Sequence, residues 1–306
     1  MGLSNRVDTL SYKLYNVGIS KNIMENNNNL KLTIQNLLNK YKIKLDPDTK
    51  DQHLLVNSAS VIKLIESADI SGEDIVLEIG GGTGTISEKI AQQAKKLICL
   101  EVDPKFVQVL KEKFQSFNNV TVIDANFLTY DLPKIDKVIA NPPFSILEPM
   151  IQKIACSSAT VSCLIIGEKY YQRTMAEPGS INYTKTSLFT QAFFNIELID
   201  SLSQDDFYPP LRERVVIIRL TRHHQPDQVY QLIANIFMNS AGEKVQYLMN
   251  SVSQLLYSLD SKNAKELDVF NKLVKSTPQE MMNRRIQKLN NSELSTLVAK
   301  IKKSSW

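Results

Sequence analysis

Short apolar runs alternate with stretches of helical periodicity from about residue 51 to residue 224. This alternation is typical of βαβ units, in which helices connect the strands of a parallel sheet. Helices are predicted between the runs, for example at 85–93 and 104–114. Strands are predicted at 75–79, 96–101, 120–123, 137–140, 162–166 and 215–220. The pattern therefore predicts an α/β fold built on a doubly wound, mostly parallel sheet.

The periodicity changes on either side of this region. Beyond residue 224, apolar residues recur at steps of three and four, which predicts two amphipathic helices separated near Gly242 and two more at about 278–289 and 292–303. Residues 1–50 contain the asparagine tract 26–29 and one periodic segment of Leu and Ile, and we interpret them as a partly helical appendage. The predicted domains are an N-terminal extension (1–50), an α/β domain (51–224) and a small all-helical C-terminal domain (225–306).

Composition narrows the class of protein. The chain has 306 residues, of which 43% are hydrophobic, enough for a sizeable core. Its apolar runs fall far short of the roughly 20 residues of a membrane helix, and its first residues lack the apolar centre of a signal peptide. The three cysteines lack the paired spacing of a zinc site. We therefore expect a cytoplasmic, metal-free protein without a membrane partner, acting as a monomer.

The distribution of charge is more informative than the net charge of +4. Basic residues outnumber acidic ones in 1–50 and 226–306, whereas acidic residues outnumber basic ones in 51–225. This distribution fits a catalytic body flanked by segments that contact phosphates, but solvated Lys-rich helices give the same pattern. Charge alone leaves both interpretations open.

A glycine-rich segment, 80–84, joins the first predicted strand directly to a helix. Glycine lets the backbone turn sharply and lets a ligand approach closely, and the start of the helix offers free N–H groups. The dinucleotide fingerprint would require glycine at position 85, where this chain has Thr85, and the lysine of a phosphate-binding P-loop is missing. The segment therefore predicts a cofactor loop of another kind.

Two acidic residues end the next two predicted strands. Glu101 follows the glycine segment by seventeen residues, and a carboxylate there can accept hydrogen bonds from both hydroxyls of an adenosine ribose. Asp124 ends the third strand and is placed to accept a hydrogen bond from the adenine amino group. Together with the glycines they predict a ligand that contains adenosine.

The segment Asn141-Pro142-Pro143-Phe144 directly follows an apolar strand. An exocyclic aromatic amine is a weak nucleophile, because its lone pair is delocalised into the ring, so it must be oriented before it attacks a methyl donor. The side-chain oxygen of Asn141 and the carbonyl of Pro142 could each accept one N–H of such an amine. Phe144 could stack on a flipped-out base. The competing interpretation is a rigid turn with a core Phe.

These motifs together resemble those of the rRNA adenine N6-dimethyltransferase family, which includes the KsgA type and the related Erm methylases. The resemblance extends to Gln52-His53-Leu54-Leu55, to the segment 168–195, and to Phe207-Tyr208-Pro209-Pro210 with the strand that follows. It covers about 51–222 well, the helical domain loosely, and 1–50 not at all.

The resemblance implies a Rossmann-like class I methyltransferase core, S-adenosyl-L-methionine as methyl donor, and transfer of two methyl groups to adenine N6. The implied partner is small-subunit rRNA or a pre-ribosomal particle, contacted in part by the helical lobe. Asn141, Pro142 and Phe144 would hold the target base, and Phe207 would close its pocket from the other side. The residues implied to bind the cofactor are Gln52, His53, Leu55, Gly80, Gly82, Glu101, Asp124, Ala125 and Asn141.

The chain departs from the family at several positions. His53 stands where Asn is usual, the Pro-Pro-Phe of the 141–144 motif replaces Leu-Pro-Tyr, and 212–215 read Arg-Glu-Arg-Val in place of Lys-Val-Asp-Ser. The basic cluster of the helical lobe is absent. These departures keep two alternatives open: an amino-methyltransferase acting on tRNA, DNA or a protein, and a non-catalytic RNA-binding assembly factor that keeps the fold.

Overall fold

The structure is a computed structural model that describes residues 27–224, 227–240, 242–258 and 264–304. Its contacts divide the chain into two compact units. Within the described residues, the first unit comprises 27–150, 157–167 and 198–219, and the second comprises 151–156, 168–197 and the residues from 220 onwards.

The strands are β1 Leu54–Leu55, β2 Ile75–Ile79, β3 Lys96–Glu101, β4 Val120–Asp124, β5 Lys137–Ala140, β6 Val161–Gly167, β7 Phe194–Leu202, β8 Phe207–Tyr208 and β9 Val215–Arg222. A seven-stranded sheet has the order β4-β3-β2-β5-β6-β9-β7, and a two-stranded antiparallel sheet pairs β1 with β8. Strand β2 pairs in parallel with β3 and β5, β3 with β4, and β5 with β6. The predicted doubly wound, mostly parallel sheet is confirmed.

Twelve α-helices accompany these strands in the described part of the chain. They are α1 (27–40), α2 Ser58–Ser67, α3 Thr85–Ala91, α4 Pro104–Lys113, α5 Leu147–Ala155, α6 Glu168–Thr174, α7 Lys185–Phe193, α8 Gln228–Asn239, α9 Val245–Ser258, α10 Ala264–Ser276, α11 Gln279–Asn283 and α12 Asn291–Ser304. None of the described helices is long and apolar enough to span a membrane.

Strand β7 was not among the predicted strands. It lies at the edge of the sheet, and most of its nine residues are at least partly exposed. A strand at the edge of a sheet that is only partly buried does not need a continuous apolar run. Such a run is the sequence feature that identifies buried parallel strands, and β7 lacks it.

Helix α1 belongs to the packing of the first unit. Ile34 and Leu38 are buried against Val56 and Phe106, the latter on α4. Tyr41, just beyond the helix, donates a hydrogen bond to Glu112. The interpretation of residues 1–50 as an appendage is therefore wrong for 27–40, because the apolar face of α1 is covered by the α/β unit. Most of the asparagine tract lies at the start of this helix, and Asn26 lies outside the described residues.

Helices α8, α9 and α12 follow the predicted periodicity, whereas α10 (Ala264–Ser276) was not predicted. A single helix was expected at 278–289, but α11 ends at Asn283 and a short 3-10 turn follows at Ile286–Lys288. Arg285 between them is extended and forms a β-bridge with Lys244. Arg284 forms an ion pair with Glu293 of α12.

Candidate active site

The site lies where the order of the parallel strands reverses. β2 has β3 on one side and β5 on the other, and Ile79 is paired with both Leu100 and Ala140. The segments that leave the carboxyl ends of these strands therefore start side by side. They are the glycine loop after Ile79, the acidic residue at the end of β3, and Asn141 after Ala140. Open α/β sheets bind ligands at such a switch point.

The glycine loop turns through a conformation that other residues rarely adopt. Gly80 and Gly82 have φ values of +79° and +52°. In this left-handed region a residue that carries a Cβ has a strained backbone. The amide of Gly82 donates a hydrogen bond of 2.9 Å to Glu101 Oε2, which fixes the loop against the end of β3.

Glu101 is held by three backbone amides. Besides Gly82, the amides of Val102 and Asp103 donate to Oε1 at 2.8 and 2.9 Å. Burial raises the pKa of this carboxyl, and the three hydrogen bonds oppose the rise. A carboxylate has roughly four acceptor positions, so at least one stays available for a ligand hydroxyl.

A cavity of about 430 Å³ runs along the glycine loop and the ends of β2, β3 and β5. We call it the cofactor cavity. Its volume lies within the range of small-molecule sites, and its lining is mostly apolar with a few polar groups. Of the predicted cofactor-binding residues, those that line it are Gln52, His53, Leu55, Gly80, Gly82, Glu101, Ala125 and Asn141.

Asp124 lies outside this lining. It is exposed at the end of β4, opposite Glu101 in the register of the sheet, and the cavity wall is formed instead by Ala125, Asn126 and Phe127. The role of Asp124 in holding the adenine stays a prediction.

A second cavity of about 450 Å³ adjoins the first, and we call it the acceptor cavity. Asn141, Pro142 and Phe144 line one part of it. The other lining residues are Pro47, Asp48, Asp51, His53, Pro209, Pro210, Leu211, Arg212 and Glu213. Arg212 and Asp48 form an ion pair of 2.7 Å in this lining, and both side chains are largely exposed.

Phe207 does not line the acceptor cavity. It is fully buried in the core cluster, where its strand β8 pairs with β1 and sets Phe207 opposite Leu55. The expectation that Phe207 closes the base pocket needs correction, since the facing wall is formed by Pro209 and Pro210 two residues further along.

Three residues border both cavities: Asp51, His53 and Asn141. Asn141 Nδ2 donates a hydrogen bond of 2.9 Å to the backbone oxygen of His53. A backbone oxygen can only accept, so this contact fixes which end of the amide is nitrogen. Within the described residues neither Asn141 Oδ1 nor the Pro142 carbonyl accepts a hydrogen bond. The two acceptors expected to hold an amine are therefore free of protein donors.

Sequence reasoning missed several residues of this site. Asp103 was not among the predicted site residues, yet it borders the cofactor cavity and accepts a 3.4 Å hydrogen bond from Gln52 Nε2. Gly81 has an ordinary φ, but a Cβ there would lie 2.3 Å from Cys99 Sγ. Contacts of this kind depend on neighbours distant in sequence, so no local pattern marks them.

Glu78, in β2 beneath the glycine loop, is a buried carboxyl that was not among the predicted site residues. It is 1% exposed, and neither of its oxygens has a hydrogen-bond partner within the described residues. Burial raises its pKa to about 8. The group therefore stays protonated in the folded protein at pH values where the unfolded chain would ionise it.

We expect Glu78→Gln to change how stability depends on pH. Because the folded pKa lies above the unfolded one, the stabilising contribution of Glu78 is complete below about pH 4.5 and is lost as pH rises through about 8. The melting temperature of the wild type should thus fall relative to Glu78→Gln across this interval. Thermal melts in a series of buffers measure the difference, with the exposed Glu66→Gln as control. A difference that is constant with pH would contradict the prediction.

No group of three or more His, Cys, Asp or Glu side chains in the described part of the chain is arranged to hold a metal ion. The polar groups around the two cavities include backbone amides, carboxylates and the side-chain amides of Gln52, Asn126 and Asn141, a set suited to hydrogen bonding with an organic ligand.

Comparison with solved structures supports the fold. A dimethyladenosine transferase from Plasmodium falciparum superposes with a TM-score of 0.56 at 22% identity, covering 82% of this chain and 98% of the other. The 23S rRNA methyltransferase ErmE gives a TM-score of 0.55 at 16% identity, covering 81% of this chain and 99% of the other. The expected Rossmann-like fold is confirmed.

Sequence comparison extends the likeness. A protein of Methanococcoides burtonii named "Probable ribosomal RNA small subunit methyltransferase A" is 28% identical over 270 residues, which cover 86% of this chain and 96% of the relative. A protein of Methanosphaera stadtmanae with the same name is 32% identical over 186 residues, covering 60% of this chain and 68% of the relative. The family model described as "Ribosomal RNA adenine dimethylase" matches residues 48–286, well over half of the chain. The protein is a member of the ribosomal RNA adenine dimethylase family.

Proposed function

We propose that the protein transfers methyl groups from S-adenosyl-L-methionine to the N6 amine of adenine in small-subunit rRNA, forming dimethyladenosine. The observation that carries this proposal is the position of Asn141, whose side chain borders both cavities and is fixed through Nδ2 with Oδ1 left free. Family membership supports the reaction type, and the names of the relatives support the substrate.

The cofactor cavity suits an adenosine-bearing ligand. The glycine loop has no Cβ to fill the space beside Gly80, and Glu101 keeps an acceptor position for ribose hydroxyls. Apolar residues such as Ile79 and Phe127 offer surfaces for an adenine ring. When bound, S-adenosylmethionine supplies a methyl group on a positively charged sulfur.

The acceptor cavity suits a flipped-out base. Asn141 Oδ1 and the Pro142 carbonyl would each accept one proton of the N6 amine, which turns the nitrogen lone pair away from both. Phe144 is partly buried and lines the cavity, where its ring would stack on the base. No strongly basic group is required to make the amine attack.

Replacing Phe144 should weaken binding of RNA without affecting binding of the cofactor. Base stacking on an aromatic ring is worth about 1–3 kcal/mol, so Phe144→Leu should lower kcat/KM for RNA by about 5- to 150-fold. Phe144→Tyr keeps the aromatic face and serves as the matched control. Steady-state kinetics with variable RNA concentration, together with cofactor calorimetry, measure both effects. Equal kcat/KM for the Leu and Tyr variants would remove the stacking role.

The function is tested by transfer of labelled methyl groups to immature small ribosomal subunits and to naked RNA, followed by nucleoside mass spectrometry. Dimethyladenosine in small-subunit rRNA is the expected product. Labelling of tRNA, DNA or a protein in its place would favour the first alternative. Binding of S-adenosylmethionine without transfer to any of these acceptors would favour an assembly factor.

The expected partner is small-subunit rRNA or a pre-ribosomal particle, and the expected site of action is the cytoplasm. The chain is proposed to act as a monomer, which light scattering at assay concentrations would check.

A further inference from the structure

His53 connects the two sides of the acceptor cavity. Its Nδ1 lies 2.8 Å from the backbone oxygen of Pro209, and its own backbone oxygen accepts the hydrogen bond from Asn141 Nδ2. The residue is half-buried and borders both the cofactor cavity and the acceptor cavity. It therefore sits at the place where a methyl donor and a methyl acceptor would meet.

The hydrogen bond to Pro209 determines the tautomer of the neutral imidazole. A backbone oxygen has no proton to give, so Nδ1 must be the donor. In the neutral ring the proton is then on Nδ1, and Nε2 carries a lone pair. Within the described residues Nε2 has no hydrogen-bond partner. The Asn that the family usually has at this position could donate to Pro209 in the same way but has no basic nitrogen.

We propose that Nε2 of His53 receives the proton that the target amine loses on methylation. This inference rests on the proposed function and adds to it a residue that handles the proton. Asn141 and Pro142 orient the amine by accepting its N–H groups, but a carbonyl or amide oxygen is too weakly basic to keep a proton. An imidazole at the junction of the cavities meets that need.

The N6 lone pair forms a bond to the methyl carbon while the bond from that carbon to sulfur breaks, and sulfur keeps the electron pair. N6 then carries the methyl group, two protons and a positive charge. One N–H bond breaks with its electrons returning to N6, and the proton bonds to Nε2. The imidazolium passes this proton to solvent, and the methylated amine regains the lone pair that a second transfer needs.

Other ionisable groups surround His53. Asp48, Asp51, Arg212 and Glu213 border the acceptor cavity with it, and on the other side the cofactor cavity presents Lys50, Glu101 and Asp103. Asp48 is already paired with Arg212, Glu101 accepts three amide hydrogen bonds, and Asp51 accepts a bond from the Ser145 amide. To show which of these groups accepts the proton, we compare the wild type with His53→Asn, a variant that removes the basic nitrogen of His53 and leaves the other groups in place.

Nuclear magnetic resonance tests the tautomer without any reaction. The chain has three histidines, so comparing ¹⁵N-histidine spectra of the wild type and His53→Asn assigns the signal of His53. We expect its neutral form to carry the proton on Nδ1 and the lone pair on Nε2. A neutral form protonated on Nε2 would overturn the proposal.

The kinetic test is the pH dependence of transfer in a single turnover at saturating cofactor. An imidazole that already carries a proton on Nε2 cannot accept another, so in the wild type we expect the rate to rise with pH by up to about tenfold per unit. The variant His53→Asn keeps a hydrogen-bond donor to Pro209. In this variant the rise of the rate with pH should be lost, and monomethyladenosine should accumulate. The same rise in both proteins, or a flat profile in the wild type, would overturn the role of His53. Absence of transfer by the wild type at every pH would instead contradict the proposed function.

Discussion

Asn141→Ala should leave a protein that binds S-adenosylmethionine but barely transfers its methyl group. The variant removes the acceptor that orients the amine and also the Nδ2 donor to His53. Loss of one such group in a preorganised site lowers kcat by about 10²–10³-fold. Cofactor affinity should change far less, because the glycine loop and Glu101 are untouched. Single-turnover transfer and calorimetry measure the two quantities separately.

Two further variants sharpen this prediction. Asn141→Asp keeps the size of the side chain but sets an oxygen against the His53 carbonyl, so it should fail as severely as the Ala variant. Asn126→Ala alters the cofactor cavity alone and should show the opposite pattern, with weaker cofactor binding and transfer retained at saturating cofactor. Transfer by Asn141→Ala at the wild-type rate would refute the assigned role.

Gly81→Ala should destabilise the protein and disrupt the cofactor cavity. The added Cβ would lie 2.3 Å from Cys99 Sγ and 2.9 Å from Leu110 Cδ1, so either the loop or the neighbouring strand and helix must shift. Overpacking of this kind costs about 1–3 kcal/mol. Because Gly81 lies between the two glycines that shape the loop, cofactor binding should weaken as well as stability. Chemical denaturation and calorimetry report the two effects.

Glycine-to-alanine substitution also has an internal control. Gly72 has no atom within 4 Å of a built Cβ, so Gly72→Ala should leave stability unchanged or raise it by up to about 1 kcal/mol. Cys99→Ala removes the Sγ atom that would lie closest to the added Cβ. In a protein that already carries Cys99→Ala, Gly81→Ala should therefore lower the free energy of unfolding by less. If Gly81→Ala is as stable as Gly72→Ala, the steric explanation is wrong.

The ends of the central strands could be predicted because parallel strands buried on both faces have continuous apolar runs. The residues with functional side chains or glycine turns lie at the ends of such runs or directly after them, at 80–84, 101 and 141. The positions of the strands therefore predicted most of the lining of the cofactor cavity. Asn141 could be assigned a role because its neighbours in sequence, Pro142 and Phe144, form the same wall.

The opposite wall could not be predicted in the same way. His53 and Pro209 are 156 residues apart, and they meet because the short strands β1 and β8 pair beside them. Two-residue strands have no periodicity to detect. The misplacement of Phe207 has the same origin, since only the β1–β8 register shows that its ring faces the core.

The packing of α1 determines where the chain can be shortened. The family match begins at residue 48, yet Ile34 and Leu38 upstream of it cover Val56 and Phe106. A protein that begins at residue 48 would lack Ile34 and Leu38, and Val56 and Phe106 would be exposed to water. Exposed apolar side chains of this kind favour self-association. A shortened form intended for crystallisation should therefore keep the chain from residue 27 onwards.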